Sequence, residues 1–173
     1  MTAPIQAINW LKVSPPNITG AELALNRSMF AAAFGPFNVR NEVDIHTTTV
    51  GAHYTSAPFL TGDGGFLQVL LNGYAGLMLA RQDGMQLNAP TLPPRTTSIR
   101  ILGIRYLNYT LDVVTDGVMM SWNTTREGLC LFRPPAAGGE RMALGVLPVA
   151  LNIADFFGLP VEGERHGKIG LCS

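Results

Sequence analysis

The spacing of apolar side chains changes once along this chain, near residue 80, and that change constrains the fold more than any other feature. Before it, apolar positions recur at helical intervals; after it they alternate, which is the period of a strand with one buried face. The succession reads as α+β, with helices first and a small antiparallel sheet unit after them. At 173 residues the chain suits one ordinary domain and is short for two.

Thr19-Gly20-Ala21-Glu22 has capping-box spacing and predicts a helix from about Gly20. Ala21, Leu25, Met29 and Ala32 form one stripe, and Leu23, Phe30, Ala33 and Phe34 cover the other side, until Gly35-Pro36 ends the pattern. Asp63 announces a second helix, on which Phe66, Leu67, Val69, Leu70, Leu71 and Tyr74 surround the axis. A helix that is apolar nearly all round is an inner layer of something larger. Residues 36 to 62, rich in Thr, Gly, Asn and Pro, read as a long ordered loop of the kind that carries function.

In the second half, Leu77 to Ala80 and Met85 to Asn88 flank the hairpin signal Asp83-Gly84. Leu107, Tyr109, Leu111 and Val113 alternate with Asn108, Thr110 and Asp112. After the turn at Asp116-Gly117, Val118, Met120 and Trp122 repeat the pattern. Residues 97 to 104 and 128 to 132 supply further strands of a β-sandwich or jelly-roll-like unit. The organisation is therefore 1–76 helical, 77–135 a small β-domain and 136–173 an irregular tail.

Lys and Arg number 12, as do Asp and Glu, so no long-range field points to nucleic acid or an anionic membrane. Charged residues make up 14%, against roughly 25% in ordinary soluble domains. That is too few to clothe a free-standing surface, which implies burial against partners or cover by uncharged polar groups and glycans. No basic segment precedes an apolar one at the N-terminus, and no run of about 18 apolar residues occurs, so neither a secretory signal nor a membrane span is expected. Cys130 and Cys172, the two cysteines, lack metal-ligand spacing and read as unrelated buried thiols, with a disulfide as the alternative.

Glu42, Asp44 and His46 alternate, so an extended backbone points all three the same way. A carboxylate there suits a general base acting on water; metal ligation is the weaker reading because His53 and His166 add no ligand spacing, and a solvated acidic loop is the plain one. Thr61-Gly-Asp-Gly64-Gly65 lies at a helix start, where backbone amides can approach an anion or a sugar hydroxyl; tight helix packing explains it equally, and no lysine follows to make a P-loop. Four N-glycosylation sequons begin at Asn17, Asn26, Asn108 and Asn123. Asn108 falls on the predicted wet face, Asn26 in a buried-looking helix, and the excess leans toward a secretory-pathway protein.

Ala21 to Ser28, Pro36-Phe-Asn-Val-Arg-Asn-Glu42, Phe59-Leu-Thr-Gly-Asp-Gly-Gly-Phe-Leu-Gln68 and Gly73-Tyr-Ala-Gly76 together resemble the end of the catalytic domain of glycoside hydrolase family 65, in particular its acid trehalase-like and glucosylgalactosyl-hydroxylysine glucosidase-like members. The resemblance runs from about residue 15 to 132. It implies an (α/α) barrel followed by a small β-domain, an α-glucoside substrate such as trehalose, kojibiose or a glucosylgalactosyl group, and inversion at the anomeric carbon without cofactor or metal. Inversion pairs an acid with a base roughly 6.5 to 9.5 Å away across the sugar ring. The resemblance places the base at Glu42 and substrate contacts at Thr61, Gly64, Gly65 and Gln68. Arg40 and Asn41 depart from the aromatic and threonine of the family pattern, which alters the pocket wall. Nothing here matches the general acid, so the resemblance implies a C-terminal portion of the barrel, inactive alone, with the remainder of the catalytic barrel as its partner. A non-catalytic carbohydrate-binding or assembly module, or a fragment with no role of its own, are the competing readings.

Overall fold

In the computed structural model, which describes residues 2–13, 15–27, 33–34, 39–40, 60–80, 84–134, 139–157 and 167–172, the chain divides into two units, Met1–Tyr74 and Ala75–Ser173. It is an α+β protein with antiparallel sheets.

The first unit begins with helix α1 (Thr2–Lys12), which the sequence patterns did not single out. Its Pro4 lies in the first turn, where a missing amide hydrogen leaves no helical acceptor unpaired. Helix α2 (Ile18–Asn26) starts earlier than the capping box suggests, because Asn17 is the cap: its side-chain oxygen accepts from the Gly20 amide at 2.8 Å. Thr19 is therefore inside the helix. Helix α3 (Leu60–Gln68) likewise starts before Asp63, which sits in its first turn, where a carboxylate favours the positive end of the helix dipole. It continues directly into a π-helical segment, Val69–Tyr74. Helix α1 packs on α2 and on that segment, burying Ala7, Ile8 and Leu11 with Ala21, Ala24, Leu25 and Val69. The approach is close at Gly73, where an added Cβ would lie 2.8 Å from Leu11 Cδ1.

The expected continuation of α2 to Phe34 does not form. Ala33–Phe34 (β1) instead pairs antiparallel with Val39–Arg40 (β2). Gly35-Pro36 biases the chain before it toward extended backbone, and the ladder supplies partners that a helix end leaves open. Met29, Phe30 and Ala32 lie outside the described residues. The expected encirclement of the helices by apolar contacts is incomplete too: Leu23 is 57% and Leu67 56% exposed.

The second unit holds two sheets. One joins β5 (Ile99–Tyr106), β6 (Tyr109–Thr115), β7 (Met119–Thr124) and β10 (Val149–Asn152) in the order β10-β7-β6-β5. The other joins β3 (Leu77–Ala80), β4 (Gly84–Leu87), β8 (Leu129–Phe132), β9 (Arg141–Leu144) and β11 (Gly167–Leu171) in the order β3-β4-β11-β8-β9. Alternation puts Leu111 and Val113 of β6 and Met120 and Trp122 of β7 on one inner face. Met85, Leu87, Leu129, Leu131, Leu144 and Ile169 line the other, and all join one apolar cluster, so the sheets form a sandwich. Helix α4 (Ile153–Phe157) adds Phe156 and Phe157, their rings edge to face at 5.0 Å.

The predicted strands before residue 135 appear with three adjustments, one being that Val118 lies in the turn ahead of β7 and is exposed. Leu107 and Asn108 are not part of β6 but the two central residues of the β5–β6 turn, with φ of 47° and 63°, and β5 carries a register shift between Ile101 and Ile104. The Asp116 turn forms as expected: its carboxylate accepts from the amides of Val118 at 2.9 Å and Met119 at 2.7 Å, which holds its pKa below the usual carboxylate value. The tail reading of 136–173 is overturned, since β9, β10, α4 and β11 all fall there and each strand joins a sheet. These strands are four or five residues long, too short for alternation to stand out between prolines and glycines.

Nor are the cysteines unrelated thiols. Gly170 of β11 lies opposite Cys130 of β8, and the Cys172 amide donates to the Gly128 carbonyl at 3.0 Å. That pairing brings the two cysteines to a Cα separation of 5.2 Å, and they form a disulfide across 42 residues. Replacing both cysteines with alanine is expected to lower the unfolding free energy of the second unit by about 2–4 kcal/mol, read by urea denaturation against the oxidised protein.

Two tyrosines flank the β5–β6 turn and reach the opposite sheet. The Tyr106 hydroxyl accepts from the Met85 amide at 3.1 Å, and Gly84, at φ 76°, leaves the space it occupies. Gly84→Ala is expected to cost about 1–3 kcal/mol, because the methyl group would meet that hydroxyl at a left-handed backbone position. Differential scanning calorimetry checks this. A midpoint unchanged in that variant would mean that the Tyr106 contact does not hold the sheets together.

Candidate functional site

The residues expected to touch substrate lie on α3, which β2 approaches in the first unit. Thr61, Gly64 and Gln68 are spaced three and four apart and share one exposed face of this helix. Gly65 points elsewhere. It is buried against α1, and an added Cβ would lie 2.9 Å from Pro4 Cγ. The two readings of the glycine-rich run therefore divide by residue. Gly65 is a packing glycine, whereas Gly64 has nothing within 4 Å of a built Cβ and no packing reason to be glycine.

Because α3 begins at Leu60, the Thr61-to-Gly65 run forms the helix's first turns and is not a loop ahead of them. Its amides from Gly64 onward are positioned for the intrahelical ladder, so an anion or sugar hydroxyl would meet the side chains of Thr61 and Gln68 rather than a cradle of free amides.

Strand β2 ends at Arg40, two residues before Glu42. Glu42 itself, with Asn41, Asp44, His46 and His53, lies outside the described residues, and so does His166. Among the described residues no group of three or more His, Cys, Asp or Glu side chains is arranged to hold a metal ion.

A feature that motif reading missed lies where the π-helical segment ends. Tyr74 is fully buried, and its hydroxyl has no hydrogen-bond partner among the described residues. Burial raises its pKa, and the Glu22 carboxylate raises it further by disfavouring a second negative charge. Glu22, which the capping-box reading assigned to the helix start, thus acts electrostatically on Tyr74. The sequence signal for this was the apolar run around Tyr74, which marks burial but not the neighbouring charge.

In the second unit a concavity between β9, β10 and α4 is lined by Arg133, Glu140, Asn152 and Asp155 among others. The Arg133 guanidinium donates to the Glu140 carboxylate at 3.2 Å, to the Phe156 carbonyl at 3.4 Å and to the Asp155 carbonyl. It satisfies carbonyls at the end of α4, while Asn152 caps the start by accepting from the Asp155 amide at 3.2 Å. Arg133 and Asn152 of this lining thus hold α4 in place.

The sequon asparagines fall in different settings. Asn17 is the α2 cap, Asn26 is exposed at the end of α2 and not buried as its helix suggested, Asn123 is half-buried in β7, and Asn108 is exposed at the β5–β6 turn. No helix among the described residues is long and apolar enough to cross a membrane.

No protein-family model matches the chain. A protein-glucosylgalactosylhydroxylysine glucosidase of Dictyostelium discoideum is 33% identical to it over 125 residues, which is 72% of this chain and 15% of that protein. A solved structure from the human microbiome, carrying the provisional name kojibiose phosphorylase, matches 87% of this chain and 19% of its own with a TM-score of 0.58 and 15% identity. The chain thus spans less than a fifth of the length of either protein. The sequence similarity supports the resemblance to glycoside hydrolase family 65, and the structural match shows a shared fold.

The two glycines of α3 give a paired test in chemical denaturation. Gly64→Ala is expected to stabilise the first unit by about 0.5–1 kcal/mol, since the position is helical and open. Gly65→Ala is expected to destabilise it by about 1–3 kcal/mol through overpacking on Pro4.

Proposed function

We propose that this glycoside hydrolase family 65-like chain is the C-terminal portion of an inverting α-glucoside hydrolase, supplying the general base to a catalytic barrel completed by helices encoded outside it. The observation that carries this reading is the similarity to the glucosidase over 125 residues, across both units of the chain. The substrate class is a terminal α-glucosyl group of the trehalose, kojibiose or glucosylgalactosyl-hydroxylysine type.

Glu42 is assigned the base. In an inverting mechanism its carboxylate takes a proton from water as that water attacks the anomeric carbon, while an acid outside this chain protonates the departing oxygen. Thr61, Gly64 and Gln68 share the exposed face of α3, where hydroxyl and amide groups suit sugar hydroxyls and the missing side chain of Gly64 lets a ring approach the helix. Gly65 is dropped from the contact set because Pro4 covers it. A phosphorolytic enzyme would bring phosphate as nucleophile and leave Glu42 without this task.

The exposed apolar side chains of the helical unit support an incomplete barrel. Trp10 on α1 is 43% exposed, and Leu23 on α2 and Leu67 on α3 exceed half. Bundled helices cover such positions with a further layer. The competing reading is a carbohydrate-binding or assembly module without chemistry, which the self-contained core of the second unit would allow.

Release of glucose is the test. The chain alone is expected to hydrolyse none of the three substrate types. A protein that joins it to the rest of the barrel is expected to hydrolyse at least one of them and to lose roughly 10²–10⁴-fold in kcat on Glu42→Gln. Saturable sugar binding by the chain alone, unchanged by Glu42→Gln, would instead favour the binding module.

A further inference from the structure

We propose that Asn108 is an acceptor for an N-linked glycan, carried at the tip of the β5–β6 hairpin. This is independent of the glycosidase reading and rests on how the fold treats the sequons.

Tyr106 pairs with Tyr109, so Leu107 and Asn108 are the whole of the turn, both with positive φ. Two-residue turns of this kind favour asparagine, whose short side chain tolerates the left-handed region. The backbone around it is held. Arg126 Nη2 donates to the Asn108 carbonyl at 3.2 Å while its guanidinium lies 4.5 Å above the Tyr109 ring. None of these contacts uses the side-chain amide of Asn108, which is exposed and has no partner among the described residues.

The other sequons are placed differently. Asn123 lies opposite Asp112 within β7, a central strand, and is half-buried. Its sequon hydroxyl, on Thr125, already accepts from the Thr110 amide at 3.2 Å. Asn17 uses its side chain to cap α2, and Ser28, which completes the Asn26 sequon, lies outside the described residues.

Two further observations point the same way. Leu107, next to the acceptor, is 49% exposed on a turn where a branched apolar residue gains nothing from burial, and a saccharide on Asn108 would shield it. The same unit carries the Cys130–Cys172 disulfide, a bond that forms and persists in the oxidising compartments where N-glycans are added. In the transfer, Asn108 Nδ2 bonds to the anomeric carbon of an oligosaccharide carried on a lipid pyrophosphate. That carbon's bond to the pyrophosphate oxygen breaks, the lipid pyrophosphate leaves, and the amide proton passes to a base of the transferring enzyme.

The experiment takes the protein that carries this chain from the cells that make it. It is treated with peptide N-glycosidase in ¹⁸O-water and digested with trypsin. Cleavage after Arg105 and Arg126 leaves both sequons of the unit in one peptide, and fragment ions separate Asn108 from Asn123. The expected result is ¹⁸O-labelled aspartate at 108 and unlabelled asparagine at 123. Unlabelled Asn108, with or without label at Asn123, overturns the proposal. An Asn108→Gln variant made in the same cells is expected to lose the mass of one glycan. An undiminished glycan mass in that variant also overturns it.

Discussion

The second unit depends on one strand, β11, whose position cannot be filled by its neighbours in sequence. It lies in the middle of the five-stranded sheet, with the β3–β4 hairpin on one side and β8–β9 on the other. Without it the sheet is two separate hairpins, and isolated hairpins are marginal in water. Ile169 is almost wholly buried among the apolar residues of both sheets, and Gly167 lies so close to the Phe132 carbonyl that a Cβ would meet it at 2.9 Å. The disulfide acts at this seam, joining the end of β11 to β8, so the covalent bond and the backbone ladder hold the same junction.

Much of the sandwich was legible because alternation is a strong signal where strands are long. Met120 and Trp122 turned inward as their spacing requires, and Asp116-Gly117 made the turn that its chemistry favours. The hairpin tip at Leu107 and Asn108 was misread because Leu107 continued the apolar alternation of β6, although asparagine followed by a new alternating run is equally a turn signal. The last three strands were invisible for want of length. β9 pairs with β8 next to it, but the partners of β10 and β11, which are β7, β4 and β8, lie far away in sequence, and no local pattern announces a pairing of that kind.

The helical unit was legible in kind and less so in its boundaries. Asn17 and Thr19 are both good caps, and a single sequence does not rank them; the hydrogen bond to Gly20 does. The expected site divided along a physical line, with Gly65 accounted for by helix packing and Thr61, Gly64 and Gln68 on a face left free. Glu22 illustrates the opposite failure. A residue that fits one local motif helps to raise the pKa of a buried phenol contributed by a segment some fifty residues later, an effect that depends on the fold. Glu42 rests on the resemblance, since it lies among the residues that the structure does not describe.

The chain has two tryptophans, and the fold gives one to each unit in contrasting surroundings. Trp10 stands partly in water on α1, whereas Trp122 is sealed in the sandwich with no hydrogen-bond partner for its indole nitrogen among the described residues. Indole emission shifts to the blue in an apolar setting and to the red in water, so each unit contains its own optical reporter. Fluorescence can thus follow the opening of the sandwich through the red shift of Trp122 emission, without any label.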